Sequence, residues 1–150
     1  MATYQTEKQQ ILDWLAASRG DMLELLERLV NIDSWSYDKA GVDKVGEAIA
    51  EFLEGHGIDV IRIPIETHGD SFRASVGAAA GNRPIMLLGP RDTVFPTGEG
   101  AKRPFRMGGG RAYGPGVADM SAGVVLNAFV IAACETVGGA PAPLLALCGG

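Results

Sequence analysis

Two aspartates, Asp92 and Asp119, are the side chains whose settings could support chemistry. Asp92 follows by three residues the apolar run "PIMLLG", which ends at Gly89. Such a run predicts a buried strand, and ligand sites of α/β sheets gather at the carboxyl ends of strands. The alternative is an Asx-type turn, in which the carboxylate accepts hydrogen bonds from nearby backbone N–H groups. The spacing by itself favours the turn.

Asp119 lies in "AYGPGVADM", immediately before a long apolar segment. It could cap the helix that this segment predicts, since Asp is among the best N-cap residues. It could also be a functional carboxylate at a helix start, approached through Gly114 and Gly116, which permit unusual backbone angles. The two interpretations are compatible with each other.

Other candidate groups point less clearly to a site. His56 ends a predicted helix and His68 lies in a predicted turn, so both are expected to be surface histidines. Cys134 and Cys148 lie within apolar segments and are predicted to be buried, reduced thiols. The serines form no G-x-S-x-G elbow, and the glycine-rich stretches lack the lysine of a phosphate-binding loop.

Composition limits the class of protein. The 150 residues are 47% hydrophobic and 21% charged, which is typical of one globular domain. A net charge of −5 gives no electrostatic footprint for nucleic acid. The polar start does not resemble a secretory leader, and the apolar segments are shorter than the ~20 residues of a membrane span. A cytoplasmic protein without nucleic-acid or membrane partners is expected.

The elements that must position these groups follow from the hydrophobic pattern. It predicts an α/β domain with a mixed sheet, without an interdomain linker. Asp21 is expected to cap the second helix, and "RPIMLLG" is expected to be a central strand. The predicted helices cover 5–18, 21–31, 42–54 and 119–138, and the predicted strands cover 58–65, 71–79, 83–89 and 142–150, with a hairpin over 103–116.

Two stretches resemble a known family. The segment "LLGPRDTVFPTGEGAKRPFRMGGGRAYGPGVADMSAGVV" resembles the core of the dizinc carboxypeptidases and aminoacylases, the M20 metallopeptidases. It is most similar to their glutamate carboxypeptidase (carboxypeptidase G) branch, as is the upstream "LVNIDSWSYDKAGVDKVGEAIAEFLEGHGI". The resemblance runs from about residue 21 to the end. It implies a zinc-peptidase-like catalytic domain flanked by helices, of which residues 1–150 form an N-terminal portion without a lid or dimerisation domain.

The resemblance assigns roles position by position. The family's first motif, G-H-x-D-T-V, contains a zinc-binding histidine and an aspartate that orients it. Here Asp92 occupies the orienting position, and Pro90 occupies the histidine position. The second motif, G-x-A-D-x-K-x-G, contains the aspartate that bridges both metals. Asp119 stands at that position, and Ser121 stands where lysine is usual. The third motif, with the general base, would follow "LLALCGG".

The family binds two zinc ions, but this chain offers few of the ligands. A catalytic zinc needs about three protein ligands, and Asp119 is the one that the motifs retain. The general base of the third motif is expected to be missing as well. The chain alone is therefore expected to bind no zinc and to be inactive. Trp35, where relatives have glycine, and Arg91 are further changes near the expected site.

Three functions stay open. The first is a metal-dependent hydrolase that cleaves small peptides or acyl-amino acids, with its missing ligands supplied by another chain or a longer parent protein. The second is a non-catalytic pseudoenzyme or one subunit of a split assembly. A last strand with an unpaired edge would then favour a partner chain or self-association. The third is a small α/β domain that binds an acidic or neutral metabolite.

Overall fold

The computed structural model describes residues 2–77, 83–138 and 143–149. The predicted helices and strands occur in the predicted order, with one short helix that was not predicted, Glu99–Lys102, before the hairpin. A short π-helical turn, Val117–Ser121, precedes the last helix. The helices are α1 (Ala2–Ala17), α2 (Arg19–Val30), α3 (Lys39–Gly55), α4 (Glu99–Lys102) and α5 (Ala122–Val137). The strands are β1 (Val60–Ile63), β2 (Ser71–Val76), β3 (Ile85–Pro90), β4 (Arg106–Gly108), β5 (Arg111–Tyr113) and β6 (Leu144–Gly149).

Four of the strands form one mixed sheet in the order β1-β2-β6-β3. The β1–β2 and β2–β6 pairs are antiparallel, and β3 runs parallel to β6. The parallel pair requires a crossover, and α5 provides it between β3 and β6. Strands β4 and β5 pair separately as an antiparallel hairpin. The predicted α/β class, the mixed sheet and the hairpin are therefore confirmed.

The core forms where α5 packs between the sheet and helices α1, α2 and α3. The apolar sequence of α5 explains this position, because both its helix-facing and sheet-facing sides must leave water. The largest side chains with almost no exposed surface are Phe129, Leu29, Ile131 and Val42. The structure thus agrees with the prediction that the long apolar helix is buried.

Helix starts differ from the predicted caps. Helix α2 begins at Arg19 with Ser18 as its N-cap, so the prediction that Asp21 caps it is wrong. The Ser18 hydroxyl instead donates to the Trp14 carbonyl oxygen, which joins α1 to α2. Helix α3 begins at Lys39 because Asp38 accepts a hydrogen bond from the Gly41 N–H at 3.2 Å. A capping residue four positions before the predicted start at Val42 therefore sets the start of α3.

The position of β3 corrects another prediction. Within the described ranges β3 is an edge strand, not a central one, because β6 inserts between it and β2. Ile85, Met86 and Leu88 are accordingly 47%, 52% and 58% exposed. Strand β1 is the opposite edge, and its burial does not alternate as predicted, whereas β2 alternates cleanly. The predicted strand ends at 78–79, 142 and 150 lie outside the described residues.

The segment Val117–Val137 is long and apolar enough to cross a membrane by length and composition alone, and 44% of its apolar window is buried inside the protein. Non-helical angles at Asp119 and Met120 interrupt this segment. The regular helix that remains, α5, has 16 residues, fewer than the ~20 that span a bilayer. Its packing is that of a core helix.

Candidate functional site

Asp92 and Asp119 open onto the same cleft, although 27 positions separate them in the sequence. The cleft has an empty volume of about 880 Å³, which includes its open mouth. One wall runs from Pro90, at the end of β3, to Phe95. The other wall is the glycine-rich approach to α5, from Gly114 to Met120. The two carboxylates that the sequence singled out therefore share one site.

The wall that carries Asp92 is clamped to the loop before α3. The Ser36 hydroxyl donates to Asp92 Oδ2 at 2.5 Å and contacts the Thr93 carbonyl oxygen at 3.2 Å. Backbone bonds of Ser36 N–H to Thr93 O, at 3.0 Å, and Thr93 N–H to Ser34 O, at 2.7 Å, join the two loops. Within the described ranges no backbone N–H donates to the Asp92 carboxylate, so the Asx-turn interpretation is wrong. Ser36 is a site residue that no motif in the sequence indicated.

The wall that carries Asp119 depends on a glycine. Gly116 has φ +70°, and a Cβ there would lie 2.6 Å from Thr93 Cγ2. Only glycine allows this left-handed angle and this close approach of the two walls without strain. Asp119 itself has φ −130° and ψ 95°, and the Asp119–Met120 peptide bond is cis.

Asp119 does not cap the helix after it. Helix α5 begins at Ala122, with Ser121 as its N-cap residue, so the predicted start at 119 and the N-cap interpretation are wrong. The physical reason is that the backbone at Asp119 is extended rather than helical. The Asp119 side chain is exposed and faces the cleft with no hydrogen bond from the helix start.

Arg91 lies beneath the cleft rather than in it. Its side chain has 0% exposure and points to the opposite side from Asp92 and Pro90, as successive residues of an extended segment do. The guanidinium donates to the carbonyl oxygens of Val42 and Cys148, each at 3.0 Å, and to that of Asp70. The sequence placed Arg91 beside the site, but it gave no signal that the side chain is buried.

Arg91 belongs to a chain of ion pairs, the Arg91 network, formed by Arg91, Asp43, Asp70, Lys39 and Arg62. Asp43 Oδ1 lies 3.7 Å from Arg91, and Asp43 Oδ2 lies 3.1 Å from Lys39 and 3.3 Å from Arg62. Asp70 pairs with Lys39 and, at 2.6 Å, with Arg62. The network joins α3, β1 and the residue that precedes β2 to the end of β3, and it thereby supports the strand end from which Pro90 and Asp92 project.

Hydrogen bonds within the network shift the pKa values of two of its members, Asp70 and Lys39. The backbone N–H of Ile65, then the Lys39 ammonium and the Arg62 guanidinium, hold the pKa of Asp70 well below its ordinary range. In return, the hydrogen bond to Asp70 raises the pKa of Lys39 above its ordinary value. Asp70 therefore stays ionised in the folded protein far into the acid range.

The other candidate residues lie away from the cleft. His56 is half-buried, with Nδ1 2.8 Å from the Phe52 carbonyl oxygen, and His68 is exposed. Trp35 pairs with Thr93 across a β-bridge, and its ring packs against Tyr37 instead of lining the cleft.

The two cysteines are free thiols, Cys134 buried and Cys148 half-buried. Burial raises the pKa of both thiols. Cys148 lines a separate, small apolar cavity of about 20 Å³ between α3, α5 and the sheet, and neither aspartate lines it. Apart from the Cys148 thiol, the residues that line this cavity have no titratable or charged side chain.

The donors of the cleft do not fit a two-zinc centre. In the parts of the chain that the structure describes, no group of three or more His, Cys, Asp or Glu side chains could hold a metal ion. The proline ring at position 90 has no donor atom, and the Asp92 carboxylate accepts the Ser36 hydroxyl. Asp119 remains as a single carboxylate, whereas zinc sites use three or four protein ligands.

Comparison with known proteins identifies the family. No family model matches the chain. Over 112 residues, however, it is 34% identical to carboxypeptidase G2 from Pseudomonas sp. (strain RS-16), which covers 73% of this chain and 26% of that protein. The chain belongs with the M20 metallopeptidases.

Solved structures agree on the fold. Human carnosine dipeptidase 1 superposes with a TM-score of 0.79 at 14% identity, over 94% of this chain and 34% of that one. The M20 family metallo-carboxypeptidase Sso-CP2 from Sulfolobus solfataricus has a TM-score of 0.73 at 17% identity, over 86% and 30%. The chain thus spans about a third or less of the M20 relatives that it matches, and its mixed α/β fold is a part of theirs.

Proposed function

We propose that this chain forms one wall of an amide-hydrolase site of the carboxypeptidase G type and does not hydrolyse substrates by itself. The reaction of the complete site is the cleavage of an amide bond next to a C-terminal amino acid, in a small peptide or an acyl-amino acid. One observation carries the proposal. Asp92 and Asp119 open onto a single cleft, in a chain 34% identical to carboxypeptidase G2 over 112 residues.

In this proposal the two aspartates have different roles. Asp119 is exposed to the cleft and does not cap α5, so its carboxylate is available to contribute to a metal site. Asp92 is held by Ser36 in the orientation that would align a ligand at position 90, but proline cannot be that ligand. The lining residues offer no further acid or base that could take a proton from water. These residues therefore bind and orient, and the water-activating group must come from elsewhere.

The test is hydrolysis of N-acyl amino acids by the purified protein, assayed with and without any co-purifying chain, together with its zinc content. Turnover is expected only in fractions that contain the second chain. In those fractions Asp119→Asn should lower turnover by at least about 100-fold, because a metal-site carboxylate is lost. Asp59→Asn, an exposed aspartate outside the cleft, is the control and should retain full activity. Turnover by the chain alone would contradict the proposal.

A second candidate is a non-catalytic descendant of the hydrolases, a pseudoenzyme that binds a partner chain. Pro90 favours it, since proline at the ligand position removes metal chemistry without disturbing the strand end that carries it. Size-exclusion chromatography with light scattering separates the two candidates. A stable complex without turnover in any fraction supports the pseudoenzyme, and turnover in the complex supports the hydrolase.

A further inference from the structure

The segment around the β4–β5 hairpin is positively charged, whereas the rest of the chain is negatively charged. From Gly100 to Ala118 the sequence contains four basic residues and no acidic residue, in a chain of net charge −5. Two of the four, Lys102 and Arg103, pair with Glu99 at 2.8 and 2.7 Å. The other two basic residues belong to the hairpin itself and lie outside these pairs.

The strand register brings those two residues to one surface. Arg106 lies opposite Tyr113, and Arg111 lies opposite Gly108, so Arg106, Arg111 and Tyr113 project from the same face of the hairpin. On the other face Ala112 packs against the core cluster. We call the outward side the arginine face and define it by Arg106, Arg111 and Tyr113.

One arginine of this face is already ordered. The Arg106 guanidinium lies 4.0 Å from the centroid of the Tyr113 ring, in a cation–π contact. Arg111 is its diagonal cross-strand neighbour, at a backbone separation of about 7–8 Å. Stacking on a rigid ring restricts the rotamers of Arg106 before any ligand arrives, which lowers the entropic cost of binding.

Neither arginine has a carboxylate within ion-pair distance among the residues that the structure describes. Both are exposed. Two neighbouring cations on one hairpin face repel each other, and an anion bound between them would relieve that repulsion. Guanidinium groups favour carboxylates, which they bind with two parallel hydrogen bonds.

We propose that the arginine face binds an acidic peptide segment, with Arg106 and Arg111 each contacting a carboxylate and the Tyr113 ring providing apolar contact. A peptide fits better than a nucleic acid, because the remaining surface is acidic and would repel a phosphate backbone beyond this small patch. An extended peptide also has a place to lie, since β4 and β5 pair only with each other in the described ranges. This binding is independent of the proposed hydrolysis.

The experiment is fluorescence anisotropy with a labelled twelve-residue peptide of alternating Glu and Ser, at low and at physiological salt. The same peptide with Gln in place of Glu is the ligand control. The double variant R106Q/R111Q should weaken binding of the Glu peptide by about tenfold or more, because two bidentate contacts are lost. The matched variant R73Q/R83Q removes two exposed arginines elsewhere and should change binding by less than about twofold.

Several results would overturn the proposal: equal binding of the Gln peptide, equal weakening by R73Q/R83Q, or absence of binding at low salt. Equally tight binding of a single-stranded oligonucleotide of the same charge would also overturn it, since the face would then be a nonspecific cation patch. Circular dichroism of R106Q/R111Q checks that the fold is intact. Both substitutions lie at exposed positions, so retained structure is expected.

Discussion

Pro90 and Arg91 are consecutive residues, yet they belong to two regions that have very different chemistry. Pro90 faces the open cleft, where Asp92 and Asp119 are the two carboxylates and no cluster of three metal ligands exists among the described residues. Arg91 faces inward, where its guanidinium donates hydrogen bonds to three carbonyl oxygens and pairs with Asp43 of the Arg91 network. The cleft side of the strand thus offers few ligands, while the Arg91 side has complete hydrogen bonding.

The two sides of this strand end are expected to contribute differently to the stability of the fold. A buried guanidinium is costly to desolvate, and it persists only where acceptors compensate it. In the described part of the chain, no buried side-chain nitrogen or oxygen lacks a hydrogen-bond partner. The cleft has no comparable constraint, because an open carboxylate keeps its water. We therefore expect the free energy of unfolding to depend more on the Arg91 side of the strand than on the cleft side.

The largest expected effect is on the Arg91 side. Arg91→Met should lower the free energy of unfolding by about 3–5 kcal/mol, because it leaves three carbonyl oxygens without their donor and removes the buried cation next to Asp43 Oδ1. Urea denaturation at pH 7 measures this loss. Arg73→Met, at an exposed position of β2, is the control and should change stability by less than about 0.5 kcal/mol. A loss below about 1 kcal/mol for Arg91→Met would mean that the network does not support the strand.

A substitution that disturbs the packing around the Arg91 network should have a smaller effect on stability. A Cβ at Gly46 would lie 2.5 Å from the Phe72 ring and 3.0 Å from Arg91 Nε. Gly46→Ala should therefore destabilise the protein by about 1–3 kcal/mol through overpacking. Gly20→Ala, in α2 with open space around it, should instead stabilise by about 0.5–1 kcal/mol. Thermal unfolding of both variants checks the difference in sign, and equal signs would contradict it.

On the cleft side the expected loss is smaller again. Ser36→Ala removes the hydroxyl that contacts Asp92 Oδ2 and Thr93 O and should cost about 1–2 kcal/mol. Ser75→Ala, at an exposed position of β2, should stay within about 0.5 kcal/mol. The comparison in urea tests whether Ser36 holds the cleft wall. If both serines have the same effect, the two loops are joined by their backbone bonds alone.

The last prediction concerns acid pH. The pKa of Asp70 is lowered from an ordinary value near 3.8, so its ionised form stabilises the folded state above that value. This contribution is complete near neutral pH and decreases as the pH falls below about 4, because the unfolded state then binds the proton first. Urea unfolding of the wild type and Asp70→Asn between pH 6 and pH 3 measures it. A wild-type slope no steeper than that of Asp70→Asn would contradict the role of the network.

The sequence predicted local features better than distant pairings. The hairpin, the mixed sheet and the buried helix follow from the periodicity of apolar residues and from turn residues, which are local features of the sequence. The edge position of β3 could not be predicted in this way, because a continuous apolar run does not indicate which strands will pair with it. The burial of Arg91 was equally hidden, since its partners lie 21 to 57 residues away in the sequence. Family resemblance brought Asp92 and Asp119 together, but it could not indicate Ser36.

The proposed function requires that the cleft of this chain hold no zinc by itself, and zinc binding tests this requirement most directly. The purified, tag-free chain is dialysed against about 1 µM zinc at pH 7 and analysed for metal, with Asp119→Asn in parallel. We predict less than about 0.1 zinc per chain for both proteins, since one carboxylate cannot hold the ion. One or two zinc ions per wild-type chain, lost in Asp119→Asn, would contradict the account.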